Sequence, residues 1–128
     1  MSLAAFNPIG FIPTANAAAA REFYENTLGC AFESDDQLAL VFRVGPHRIM
    51  LRIAHTPGFT PESHTIFGWE VDNIQTFVTD LIAKGVEFQR FGFLSQDAQG
   101  IWLAPGGAAI AWFNDPDGNT LSVSQHPG

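Results

Sequence analysis

The chain has 128 residues, 46% of them hydrophobic, which is enough for one compact domain with a sizeable core and too short for two ordinary ones. Its 13 acidic and 6 basic residues give a net charge of -7 and a pI near 4.7, with no Lys/Arg cluster to track a phosphate backbone, so nucleic acid and anionic membranes are not expected partners. A single cysteine excludes an internal disulfide framework, and no stretch has the make-up of a signal peptide or a membrane span, so the expected address is the cytoplasm.

Met1-Ser2-Leu3 receives no structural weight. Ile9 to Thr14 reads as a short strand, and Asn16 stands where an N-cap belongs. From Ala17 to Leu28 the chain is rich in helix formers, with Ala20, Phe23, Tyr24, Thr27 and Leu28 on one stripe and Gly29 in the position that stops a helix. Cys30-Ala31-Phe32 begins an extended segment, Asp35-Asp36 turns the chain, and strands are predicted over Leu38–Val44 and Arg48–Ala54 around a Gly45-Pro46 turn. His55 opens a linker over about 56–63, where Pro57, Gly58 and Pro61 break any periodicity.

A second unit of the same plan follows. Thr65 to Val71 is a strand, Asp72 or Asn73 caps a helix, and Ile74, Phe77, Val78, Leu81 and Ile82 repeat the five-position stripe before Gly85. Asn16 and Asp72, Gly29 and Gly85, and Phe32 and Phe88 are each 56 residues apart, which marks an internal repeat. After Phe88 comes a glycine- and aromatic-rich insertion from Gly92 through Trp102 to Gly106-Gly107. The chain then closes on two alternating apolar runs around Asp115-Pro116-Asp117-Gly118-Asn119, whose proline, glycine and Asx side chains specify a tight hairpin.

Two tandem βαβββ units, a Pro-rich linker, an Asn16 to Phe23-Tyr24 to Leu28-Gly29 opening and the Asp-Pro-Asp-Gly-Asn turn together resemble the vicinal oxygen chelate superfamily, which holds glyoxalase I, bleomycin-resistance proteins and extradiol dioxygenases. The resemblance implies an α+β fold in one domain over 1–128, with one module at about 7–55 and another at about 64–126, whose curved mixed sheets form a cup. It also implies a homodimer. In metal-dependent members, His, Glu or Gln side chains from four strands hold a divalent ion in that cup. Carried onto this sequence, the four positions fall on Ile9, Arg52, Ile66 and Ser122, which form no divalent site, so neither a metal nor another cofactor is expected.

Strand alternation assigns the other candidates. On the fourth strand Ile49, Leu51 and Ile53 should face the helix, leaving Arg48, Met50 and Arg52 toward the cup. Phe67, Trp69 and Val71 should face the second helix, leaving Ile66, Gly68 and Glu70 on the cup side, while Thr120, Ser122 and Ser124 share that side at the end of the chain. Arg52 could grip a carboxylate or phosphate, or pair with Glu70, and the pair without catalysis is the preferred reading. Glu70 could act as a general base; His64, two residues before Ile66 and so on the same face, is either an acid/base group or a solvated histidine. His47, in a turn, and His126, in the tail, are weaker candidates. Phe11 shares a face with Ile9, and Trp102 could form a wall or lid over a planar ligand or pack in a subunit interface. Cys30 reads as a small buried residue.

The function expected from these residues is metal-independent binding of a small anionic or aromatic molecule, as in bleomycin-resistance proteins, with Arg52, Glu70, Phe11, Met50, Ser122 and Trp102 lining the cup. The alternative is an enzyme of lyase, isomerase or dioxygenase type, working through a noncognate metal site or through Glu70 and Arg52.

Overall fold

The computed structural model describes residues 2–128, which divide into two compact units, the first ending at Thr60 and the second beginning at Pro61. Both are α+β, each with one four-stranded mixed sheet. No helix is long and apolar enough to cross a membrane.

In the first unit, Leu3–Ala5, a stretch partly discounted from sequence, forms a single 3-10 turn whose Ala4 N–H is capped by Ser2 Oγ at 3.1 Å. Strand β1 (Ile9–Thr14) leads to Asn16, whose side chain accepts from Ala19 N at 3.2 Å and starts helix α1 (Ala17–Glu22) as an N-cap should. The expected α-helix up to Leu28 is not continuous. It widens into a π-helical turn over Phe23–Thr27, with Leu28 N reaching the Phe23 carbonyl at 2.9 Å, five residues back. That turn buries Tyr24 completely, 6.1 Å from the Phe42 ring, and Gly29 at φ 77° turns the chain out of it.

Strands β2 (Ala31–Asp35), β3 (Ala39–Val44) and β4 (Ile49–His55) complete the sheet in the order β1-β4-β3-β2, with β1 parallel to β4. Three boundaries differ from expectation, the first being β3, which starts at Ala39 and not at Leu38. Arg48 lies in the turn before β4 with φ 50°, so its side chain leaves the strand's alternation, and His55 ends β4 opposite Thr14 because the parallel ladder runs one residue further than the linker composition suggests. Leu40, Phe42, Leu51 and Ile53 alternate onto the helix side with Ile12, Ala20 and Tyr24, and all seven are at most 3% exposed. Each large side chain among them contributes roughly 1.5–3 kcal/mol by leaving water.

The second unit holds β5 (Thr65–Glu70), α2 (Ile74–Ala83), β6 (Trp102–Leu103), β7 (Ala109–Asn114) and β8 (Thr120–Gln125), in the sheet order β5-β8-β7-β6. The cap of α2 is Asn73, which accepts from Thr76 N at 3.2 Å, so the caps are 57 residues apart where the other landmarks keep 56. Gln125 takes the neighbouring orphan donor, Ile74 N, at 3.0 Å. The apolar stripe is narrower than predicted. Ile74, Val78 and Leu81 are buried, whereas Phe77 and Ile82 are each 43% exposed, because one sheet covers the i, i+4, i+7 line of a helix and leaves its flanks in water. Trp69, expected to be buried, is half-buried edge-on to Phe67 at 5.2 Å.

The edge strand of this sheet is interrupted. Phe88 bridges to Phe113, the chain then leaves the sheet, and Trp102–Leu103 rejoins β7 opposite Ile110 and Ala109. Gln96 holds the excursion closed: its Oε1 accepts from Phe91 N at 2.8 Å, and its Nε2 donates to the carbonyls of Gln89 and Gly100 at 2.9 and 2.8 Å. Arg90 donates to the carbonyls of Asp97 and Ala98 in the same loop. At the other end of β7, the Asp-Pro-Asp-Gly-Asn hairpin forms as predicted. Asp115, 5% exposed, accepts from the N–H groups of Asp117 and Asn119 at 3.0 and 2.9 Å and from Asn119 Nδ2 at 2.9 Å, while Gly118 takes φ 90°.

Candidate functional site

Each sheet has a face that no helix of its own unit covers, and the candidate residues divide between these two faces. In the first unit, register places Ile9 beside Met50, Phe11 beside Arg52, and Val41 on the other side of Arg52. Ile9 and Phe11 are 49% and 62% exposed, a dense apolar presentation for a strand. Arg52, expected to pair with Glu70, has a partner within its own unit. Arg52 Nη1 lies 2.8 Å from Asp36 Oδ2, and Met50 Sδ, a weak acceptor, is 3.9 Å from the same nitrogen. The cause is the Asp35-Asp36 turn, which brings Asp36 over β4 and fixes its other oxygen on Leu38 N and Ala39 N at 3.0 and 2.9 Å. The Arg52 hydrogen bond, followed by the Ala39 N–H, holds the Asp36 carboxyl below the usual carboxylate range. Beside it, Asp35 Oδ1 accepts from Gln37 N at 2.9 Å and faces His55 Nε2 at 3.2 Å, which gives His55 a structural partner that its place near the linker did not suggest.

In the second unit, register lines up Gly68, Ser122 and Trp112 across one row and Glu70, Ser124, Ile110 and Trp102 across the next. Gly68 permits the first row: a Cβ built there would lie 2.3 Å from Ser122 Oγ. The Trp102 and Trp112 rings are 6.1 Å apart and inclined by 31°, Phe91 meets Trp112 edge-on at 5.4 Å, and Phe93 adds a fourth ring 5.7 Å from Phe91. Trp102 joins these rings from the short strand β6. Trp112 and Phe91 were not singled out from sequence. Trp112 was within reach, because buried Ala111 and Phe113 leave it only the opposite side, whereas Phe91 depends on the closed loop.

Glu70 ends β5, exposed, on the aromatic side of the sheet. His64 is exposed in the bend before β5. The count that put it on one face with Ile66 fails, because the ladder shifts register between Thr65 and Phe67 and breaks the alternation there. His126, discounted as tail, instead approaches Ser124 Oγ at 3.0 Å. A concavity of about 780 Å³ lies elsewhere in the unit, around Asn73, Gln96, Leu103 and His126. The helix N–H groups of Ile74 and Thr76 that would make it anion-binding are already taken by Gln125 and Asn73.

A divalent ion does not fit the positions the resemblance assigns. Two are isoleucines without a donor atom, Arg52 has no lone pair to give, and Ser122 alone offers an oxygen. Among the described residues no group of three or more His, Cys, Asp or Glu side chains gathers within reach of one ion. Cys30 is no alternative centre, since burial pushes its thiol up to about 11 and keeps it protonated at neutral pH.

Comparison with known proteins agrees with this architecture. The chain superposes on a bleomycin resistance determinant encoded on the transposon Tn5 with a TM-score of 0.75 and 22% identity, over 96% of this chain and 99% of that one. A superfamily member from Sphaerobacter thermophilus gives 0.72 and 22%, over 94% and 97% of the two chains. Lactoylglutathione lyase from Agrobacterium tumefaciens gives 0.69 and 16%, over 91% and 90%. At these identities the likeness is one of fold. No curated protein sequence matches the chain. The family profile of the glyoxalase/bleomycin resistance protein/dioxygenase superfamily matches residues 5–123, nearly the whole length, and the chain belongs to that superfamily.

Proposed function

We propose that this protein binds a small, planar aromatic molecule without a metal, in the manner of a bleomycin resistance protein. The observation that carries the reading is the open face of the second unit, where Trp102, Trp112 and Phe91 present rings over a floor kept low by Gly68 and edged by the Ser122 hydroxyl. Rigid rings with small polar neighbours suit a flat ligand, because stacking orders no side chain that is not already ordered. The lack of donors at three of the four inherited ligand positions supports binding over the metal chemistry found elsewhere in the superfamily. Phe11 and Met50, beside Arg52 in the first unit, offer a second apolar surface for such a molecule. The exposed Leu3 and Phe6, which precede β1, support a homodimer that covers them.

The test is a tryptophan-fluorescence titration with a panel of uncharged planar aromatics, together with elemental analysis of untagged protein. Saturable quenching in wild type, weakened roughly tenfold in Trp112→Ala as expected for loss of one aromatic stack, supports the reading. Stoichiometric metal that is lost in Glu70→Ala would instead move the protein to the enzymes of the superfamily.

A further inference from the structure

We propose that Asp36 is a charge-selectivity determinant: a fixed internal counter-ion that occupies Arg52 and turns the open face of the first unit away from anionic ligands. The inference rests on the reading that the open faces bind small molecules, and it narrows what the first unit's face accepts. An arginine among apolar strand residues is ordinarily an invitation to a carboxylate or phosphate. Here the invitation is already answered from within the chain. One oxygen of Asp36 is tied to two backbone N–H groups of its own turn at 3.0 and 2.9 Å, and the other meets Arg52 at 2.8 Å. A surface ion pair usually loses much of its value to the ordering of two long side chains, but this carboxylate is ordered by the turn before Arg52 arrives. One row away Arg43, the other guanidinium on this face, is also paired, its Nε lying 3.0 Å from Glu33 Oε1.

An incoming anion must therefore displace a carboxylate that cannot swing away, or sit beside it and be repelled. An uncharged ligand meets Ile9, Phe11 and Met50 and has neither cost. The lowered Asp36 pKa keeps the counter-ion charged throughout the neutral range.

Two fluorescent probes separate the possibilities: anilinonaphthalene sulfonate and its uncharged counterpart phenylnaphthylamine, which differ by one sulfonate. Asp36→Asn removes the charge and keeps the oxygen that accepts from Leu38 and Ala39, so the turn persists. The ratio of the two affinities should move about fivefold toward the sulfonate in Asp36→Asn, the size expected for freeing one exposed ion-pair partner. Adding Arg52→Gln should cancel that gain, and Phe11→Ala should weaken both probes. An unchanged ratio, or a gain that survives Arg52→Gln, overturns the role of Asp36 while leaving the binding reading intact. Indifference of both probes to Phe11→Ala overturns it as well, by placing them elsewhere. Failure of phenylnaphthylamine to bind wild type defeats the binding reading itself.

Discussion

A methyl group at residue 68 has nowhere to go. It would sit 2.3 Å from Ser122 Oγ and 3.0 Å from the Ser122 carbonyl oxygen, on a sheet whose neighbouring strand cannot retreat without disturbing Leu121 and Val123 in the core. Gly68→Ala should therefore cost about 1–3 kcal/mol, the usual range for overpacking, and Ser122→Gly in the same chain should restore part of it. Urea denaturation of the two variants checks both statements. The Asp35-Asp36 turn makes a different kind of prediction. The Asp35 carboxyl is held low by the Gln37 N–H and then by His55, and the Asp36 carboxyl is held low by Arg52 and then by the Ala39 N–H. A carboxyl with a folded pKa below its unfolded value binds fewer protons in the native state. Its stabilisation is therefore present above the unfolded pKa of about 4 and disappears as pH falls through the folded one. The melting temperatures of wild type and the Asp35→Asn, Asp36→Asn double variant should differ at neutral pH and converge as the pH falls well below 4.

At the scale of elements, the hairpin at residues 115–119 and the loop at residues 89–101 are held in contrasting ways. The hairpin is local: Asp115 satisfies donors two and four residues ahead, so its chemistry is legible in five consecutive letters. The loop depends on one side chain. Gln96 accepts one and donates two hydrogen bonds to backbone groups spread from Gln89 to Gly100, and through Phe91 it props the ring that stands against Trp112. Gln96→Ala should leave the Phe91 N–H and two carbonyls without protein partners, cost about 1–3 kcal/mol and loosen the aromatic wall. Amide hydrogen exchange checks this: the Phe91 amide should exchange faster, while the amides paired between β7 and β8 keep their protection.

For the molecule as a whole, the repeated βαβββ plan is legible in the caps, stripes and glycine stops of the sequence. Alternation, capping and turn preference act over two to seven residues, and that range is long enough to specify where a strand, a helix or a hairpin lies. What local pattern could not reach were pairings set by register and by loops. Asp36 meets Arg52 because a turn folds back over a strand that follows it by more than a dozen residues, Gln125 caps a helix that begins 51 residues earlier, and a register shift at Ile66 undid the placement of His64. The aromatic wall belongs to the same class. Trp102 and Trp112 are brought together only when the chain leaves the sheet after Phe88 and returns to it at β6. The sequence by itself thus determined the elements and the repeat. Which charges cancel and which rings meet was decided by tertiary structure, because those contacts join residues whose separation in the chain carries no periodic signal.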